Sequence, residues 1–231
     1  MEAYRTEEEQ LEALRKWWQE NSRSTFAAIA LALAASFGWQ FWQDHRATQA
    51  ETASSIYQDM LEAVNLLTAA PAGPEQVATV RHLAGTLKTG YAGSTYAQFA
   101  ALHLAKMAVA EDDLATAEQE LRWVLTANPV QEIQLLTRLR LARVVAAKGD
   151  TAAALAILET EDSGTYAASY AEVEGDVYMQ LGQQEPARAA YERASSLALS
   201  EGSAASRSLQ LKLESLNPIP AREVVQVAEE N

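Results

Sequence analysis

The side chains best suited to proton transfer or metal ligation in this chain are three histidines, His45, His82 and His103. None has another His or a carboxylate three or four residues away, the spacing that would set two ligands on one helix face. Cysteine is absent, so there is no thiol nucleophile, thiolate metal site or disulfide framework. The sequence holds no G-x-S-x-G elbow, P-loop, glycine-rich dinucleotide turn or H-E-x-x-H pair. It therefore reads as a non-enzyme without cofactor or metal, with His82 and His103 as ordinary helix residues.

The spacing that does recur is steric. Within residues 171–199, Gly175, Tyr178, Gly182, Ala187, Tyr191 and Ala194 fall at the offsets of a 34-residue tetratricopeptide motif. A small residue on the first helix of a pair lets the second cross closely at Ala187, the tyrosines fill the space beside that crossing, and Gly182 supplies the turn. Moved back 33 residues, the offsets give Leu141, Ala142, Val145, Gly149, Ala154 and Leu158. Another 37 back they give Leu104, Ala105, Ala108, Asp112, Ala117, Leu121, Val124 and Pro129. Both copies keep the small residues and replace aromatics by aliphatics.

Composition supports the elements that must carry this pattern. Ala, Leu and Glu dominate, unbranched at Cβ and good helix formers, and only ten glycines and six prolines interrupt the chain of 231 residues. Breaks at Pro71–Ala72–Gly73–Pro74, Gly90 and Gly93, Asn128–Pro129, Gly149–Asp150, Asp162–Ser163–Gly164, Gly182, Gly202 and Asn217–Pro218 each follow one helix or a helical pair. The fold class is all-α, a tetratricopeptide-like solenoid. A last helix over 203–216, with Leu209, Leu213 and Leu216 on one face, would cap the stack, whose end unit otherwise exposes its apolar side. First helices line the concave face of such arrays. In this register those positions are Phe99, Leu102 and Lys106, then Leu136, Leu139 and Arg143, then Glu172, Asp176 and Met179: an apolar stripe with charged margins, the candidate protein-binding groove.

Residues 26–42, FAAIALALAASFGWQFW, carry no charge. Extended back to Ser24 they reach about 28 Å as a helix, close to a bilayer's hydrocarbon thickness. Trp17 and Trp18 precede the segment and Trp39, Phe41 and Trp42 end it, as at a headgroup interface. Arg5, Arg15, Lys16 and Arg23 lie before it, and Arg46 is the only Lys or Arg between it and Arg81. The positive-inside rule then puts the amino terminus in the cytoplasm and the remainder outside it. Ala32–Leu33–Ala34 offers a signal-cleavage pattern, but the acids Glu2, Glu7, Glu8, Glu9, Glu12 and Glu20 are foreign to a signal n-region, which favours an uncleaved anchor. Ala28, Ala32 and Ser36 share one face at a spacing that lets helices approach in lipid. The domains expected are a cytoplasmic stub 1–24, a transmembrane helix 25–42, an exported repeat domain 43–216 and a disordered tail 217–231. A net charge of −13 argues against nucleic acid, which needs a basic face.

The approach Arg15–Lys16–Trp17–Trp18–Gln19–Glu20–Asn21, the span ending Gly38–Trp39–Gln40–Phe41–Trp42, and the Ala-rich helix with Tyr57 resemble the YfgM-type ancillary subunit of the bacterial Sec translocon, over about residues 1–216. The resemblance implies an inner-membrane protein with its repeats in the periplasm. Its implied partners are Sec translocon subunits, a membrane-anchored periplasmic chaperone of the prolyl-isomerase-like class, and exported polypeptides handed on to chaperones. The Pro-containing tail departs from the family. Two other readings stay open: a scaffold of another envelope assembly, and a regulator acting through the cytoplasmic stub.

Overall fold

The computed structural model describes residues 7–69, 73–160, 162–200, 202 and 206–216, and among them it is helical with no strand. The chain divides into two compact units, Met1–Ser55 and Ile56–Asn231. The tail expected over 217–231 lies outside the described residues.

Helix α1 runs Glu7–Ala69. Its most apolar 18-residue window has a mean hydropathy of 1.3 and none of that window is buried; the helix is long and apolar enough to cross a membrane. Leu31, Phe37 and Phe41 are 68–75% exposed. In water such a surface would cost roughly 25 cal/mol for each Å² of apolar area left uncovered.

The second unit contains α2 (Pro74–Gly90), α3 (Thr95–Ala110), α4 (Leu114–Thr126), α5 (Gln131–Ala147), α6 (Thr151–Leu158), a 3-10 turn (Gly164–Tyr166), α7 (Ala167–Gln180), α8 (Gln184–Ser200) and α9 (Arg207–Leu216). Each of these helices packs on its neighbour in sequence, and α5 also packs on α7, the arrangement of stacked helical pairs. The expected cap forms as α9, beginning at Arg207; residues 203–205 lie outside the described set.

The sequence offsets reappear as geometry. Asp112, Gly149 and Gly182, the three turn positions, have φ of 60°, 93° and 71°. After each, the next residue returns its N–H to a carbonyl five residues back: Asp113 to Ala108 (2.8 Å), Asp150 to Val145 (3.2 Å) and Gln183 to Tyr178 (2.9 Å). This closes the first helix of each pair with a left-handed residue. Asp113 and Asp150 then cap the second helix, their carboxylates accepting from the N–H of Thr116 and Ala153 at 3.0 Å.

The crossing position also recurs, with a co-adapted partner. A Cβ on Gly175 would lie 2.4 Å from the Tyr191 ring, closer than any real contact, so only glycine fits there. Equivalent positions in the earlier pairs are Ala142 and Ala105, and the equivalents of Tyr191 are Leu158 and Leu121, all buried. Glycine stands where the second helix brings an aromatic ring; alanine suffices where it brings leucine. One core joins α3 to α7, and a second, smaller one joins α7, α8 and α9 through Ala171, Ala187, Tyr191, Leu209 and Leu216. Tyr170 ties α7 to α5 by donating its hydroxyl to the Leu135 carbonyl at 2.8 Å, and burial pushes that phenol up to about 12.

Candidate protein-binding groove

On α3, Leu102, Ala105, Lys106 and Val109 stand at i, i+3, i+4 and i+7. On α5, Arg140, Arg143, Val144 and Ala147 stand at the same four offsets. Residues so spaced share one helix face. The two faces border one groove of about 350 Å³, with Leu114 and Leu121 of α4 contributing to its apolar lining.

Its cations stand apart from most of those in the domain, although Arg138 and Arg207 also form no ion pair among the described residues. Arg81, Lys88, Arg122, Lys148, Arg193 and Lys212 each meet a carboxylate, as in Lys88–Glu120 at 2.5 Å and Lys148–Glu118 at 2.6 Å. Lys106, Arg140 and Arg143 form no ion pair among the described residues, and no acid lines the groove. Beside it, burial lowers the pKa of His103, and the charges of Lys106 and Arg140 lower it further. His103 is thus held toward its neutral form, with its ring 6.3 Å from that of Tyr57.

The residues anticipated for the groove separate into three sets. Leu102, Lys106 and Arg143 come together here. Leu136 is half-buried, Leu139 is packed into the core at 4% exposure, and Phe99 lies under Tyr57 with ring centroids 6.0 Å apart. Glu172 and Asp176 on α7 are engaged by the terminal helix: Lys212 Nζ lies 2.7 Å from an oxygen of each. Tyr191 donates to Asp176 at 2.8 Å, and Arg188 donates to the Leu216 carbonyl. Burial alone would lower the pKa of Lys212, but its hydrogen bonds to Asp176 and Glu172 outweigh that and raise it. Met179 is exposed.

Ala105, Val109, Leu114, Leu121, Arg140, Val144 and Ala147 also line this groove and were not among the positions anticipated for it. The repeated i, i+3, i+4, i+7 set on α3 and α5 was the available signal; on α5 it keeps Arg143 and takes Arg140 in place of Leu139. In the first unit, Ala28, Ala32 and Ser36 are exposed on α1. No group of three or more His, Cys, Asp or Glu side chains suited to a metal occurs among the described residues.

The model of the tetratricopeptide repeat-like domain family matches residues 15–218. Similar proteins include the ancillary SecYEG translocon subunit of Escherichia coli (strain K12), 29% identical over 83% of this chain and 88% of that protein. Those of Haemophilus influenzae and Aggregatibacter actinomycetemcomitans are 29% and 30% identical, again over 83% of this chain and over 90% of each relative. With stacked helical pairs, recurrent left-handed turns and this extent of similarity, the chain belongs to the family of ancillary SecYEG translocon subunits, built on a tetratricopeptide repeat-like domain.

Proposed function

We propose that this chain is a membrane-anchored, non-catalytic subunit that associates with the Sec translocon and binds polypeptides on its repeat domain. The observation that carries the reading is the extent of the family match. It runs from residue 15 to 218 and so includes the exposed apolar stretch of α1 as well as the helical pairs. Residues 25–42 span the inner membrane, the segment before them is cytoplasmic, and the repeats lie in the periplasm; the Lys and Arg bias around the segment supports that orientation. Ala28, Ala32 and Ser36 give the span a face on which another membrane helix can pack closely. The groove between α3 and α5 receives stretches of exported chain or of a partner. A membrane-anchored chaperone of the prolyl-isomerase-like class takes the polypeptide onward.

In-membrane photo-crosslinking of the full chain tests this, with one probe at Ala32 and another at Arg143. The expected products are Sec channel subunits from Ala32, and exported polypeptides or a periplasmic chaperone from Arg143. Efficient products with a different envelope assembly alone would overturn the translocon reading.

A further inference from the structure

The repeat domain sets two kinds of charged surface side by side. On α7 the carboxylates are already answered from within the chain, because Lys212 of α9 meets both Glu172 and Asp176. On α3 and α5 three cations surround apolar side chains and have no such answer among the described residues. The contrast is sharper because the whole chain carries a net charge of −13, so an unneutralised basic groove is not what its composition would produce by default.

We propose that the groove between α3 and α5 selects polypeptide segments in which carboxylates flank bulky apolar side chains. This rests on the reading that the repeat domain binds polypeptide and deepens it by naming the chemistry recognised. Val109, which is exposed, and Leu114, which is half-buried, offer the apolar side chain its contact, over a floor of Leu102, Ala105, Leu121 and Val144 that the domain's own core largely buries. A volume of about 350 Å³ lies in the range that buries a compact group. Lys106 on one wall, and Arg140 with Arg143 on the other, meet carboxylates before and after that anchor. Arginine's planar fork suits a carboxylate in two-point contact. The cations are exposed, so they contribute chiefly to choice of partner and rate of encounter, while the apolar contact holds the complex. The same charges repel basic segments, which gives the groove a preference among polypeptides that an uncharged groove would lack.

The test uses the full chain in nanodiscs of zwitterionic lipid and three labelled synthetic peptides of equal length. Each carries the same Leu and Phe residues, interleaved with Glu, with Ser or with Lys. Fluorescence anisotropy should find the Glu peptide bound about tenfold tighter than the Lys peptide, with the Ser peptide between and the difference shrinking as salt rises. The triple variant Lys106→Glu, Arg140→Glu, Arg143→Glu, checked for unchanged helicity by circular dichroism, should invert that order. Equal binding of all three peptides would overturn the charge selection while leaving a polypeptide groove standing. Binding of none would remove the polypeptide reading itself. Displacement of the Glu peptide by oleate at lower concentration than by unlabelled peptide would reassign the groove to an anionic lipid. A photo-probe at Val109 that captures residues 217–231 or a second copy of the chain, with no peptide added, would assign it to the chain itself. Either result overturns the proposal.

Discussion

Alanine does opposite work in the two units of this molecule. In the apolar stretch of α1, Ala27, Ala28, Ala30, Ala32, Ala34 and Ala35 are all exposed, alongside equally exposed Leu and Phe. In the repeat domain, Ala97, Ala100, Ala101, Ala117, Ala142, Ala154, Ala187 and Ala194 are all fully buried. The residue type and the helical state are the same; the neighbours differ. Helical pairs place a small residue at each crossing so that helix backbones can approach, and the apolar surface is consumed within the domain. The α1 segment is long and apolar enough to cross a membrane, and in the function proposed above lipid covers its apolar surface.

The largest effect that could break this contrast comes from trimming leucine on either side of it. Leu121→Ala removes a side chain that is 1% exposed, and should lower repeat-domain stability by about 2–5 kcal/mol in urea unfolding of the detergent-solubilised chain. Leu33→Ala, at a site 51% exposed, should leave that transition where it was. Equal losses would mean that the α1 segment belongs to the same core.

A smaller effect sharpens the account of the crossings. Gly175→Ala drives a methyl into the Tyr191 ring and should cost a net ~0–2 kcal/mol, the overpacking penalty of roughly 1–3 less the gain of about 1 in helix propensity. Combined with Tyr191→Leu, which recreates the Ala–Leu pairing of the two earlier repeats, the substitution should cost less than on its own. A double-mutant cycle measures that coupling, and simple additivity would contradict the co-adaptation.

At the turns, Asp112 occupies the left-handed position that glycine holds in the next two repeats. Asp112→Gly should therefore raise stability by about 0.5–1 kcal/mol, visible as a higher urea midpoint. No change would mean that the turn is held by its neighbours.

The smallest effect is a pH dependence. The folded-state pKa of His103 is lowered, chiefly by burial and then by Lys106 and Arg140, so the unfolded chain takes up this proton first. Its contribution costs nothing well above 6.5, destabilises the fold increasingly as pH falls through 6.5, and levels off below the depressed folded value. His103→Gln should remove that part of the slope in urea midpoints measured across the window. An unchanged slope would assign the acid sensitivity to other groups.

Most of the fold was legible because its determinants are local. The offsets of Asp112, Gly149 and Gly182 can be read along the chain, and each enforces a turn through its own backbone. Gly175, Ala187 and Tyr191 could be placed for the same reason. The groove was legible only in part. Leu102, Lys106 and Arg143 follow from helical spacing, but Leu139 went to the core because α5 packs on α4, α6 and α7 and so buries more than one face. Nothing periodic announces that Lys212 will close over Glu172, 40 residues earlier, and turn two expected groove positions into the seat of the terminal helix.

The claim that one unit faces lipid and the other faces protein partners is tested most directly by cysteine accessibility, which a chain without native cysteine makes clean. Glu12→Cys, Ala32→Cys and Gln119→Cys would each be exposed to a membrane-impermeant maleimide in right-side-out and in inside-out inner-membrane vesicles. The account predicts that Gln119→Cys labels only in right-side-out vesicles, Glu12→Cys only in inside-out ones, and Ala32→Cys in neither. Labelling of Ala32→Cys from either side, or of Glu12→Cys and Gln119→Cys from the same side, would contradict it.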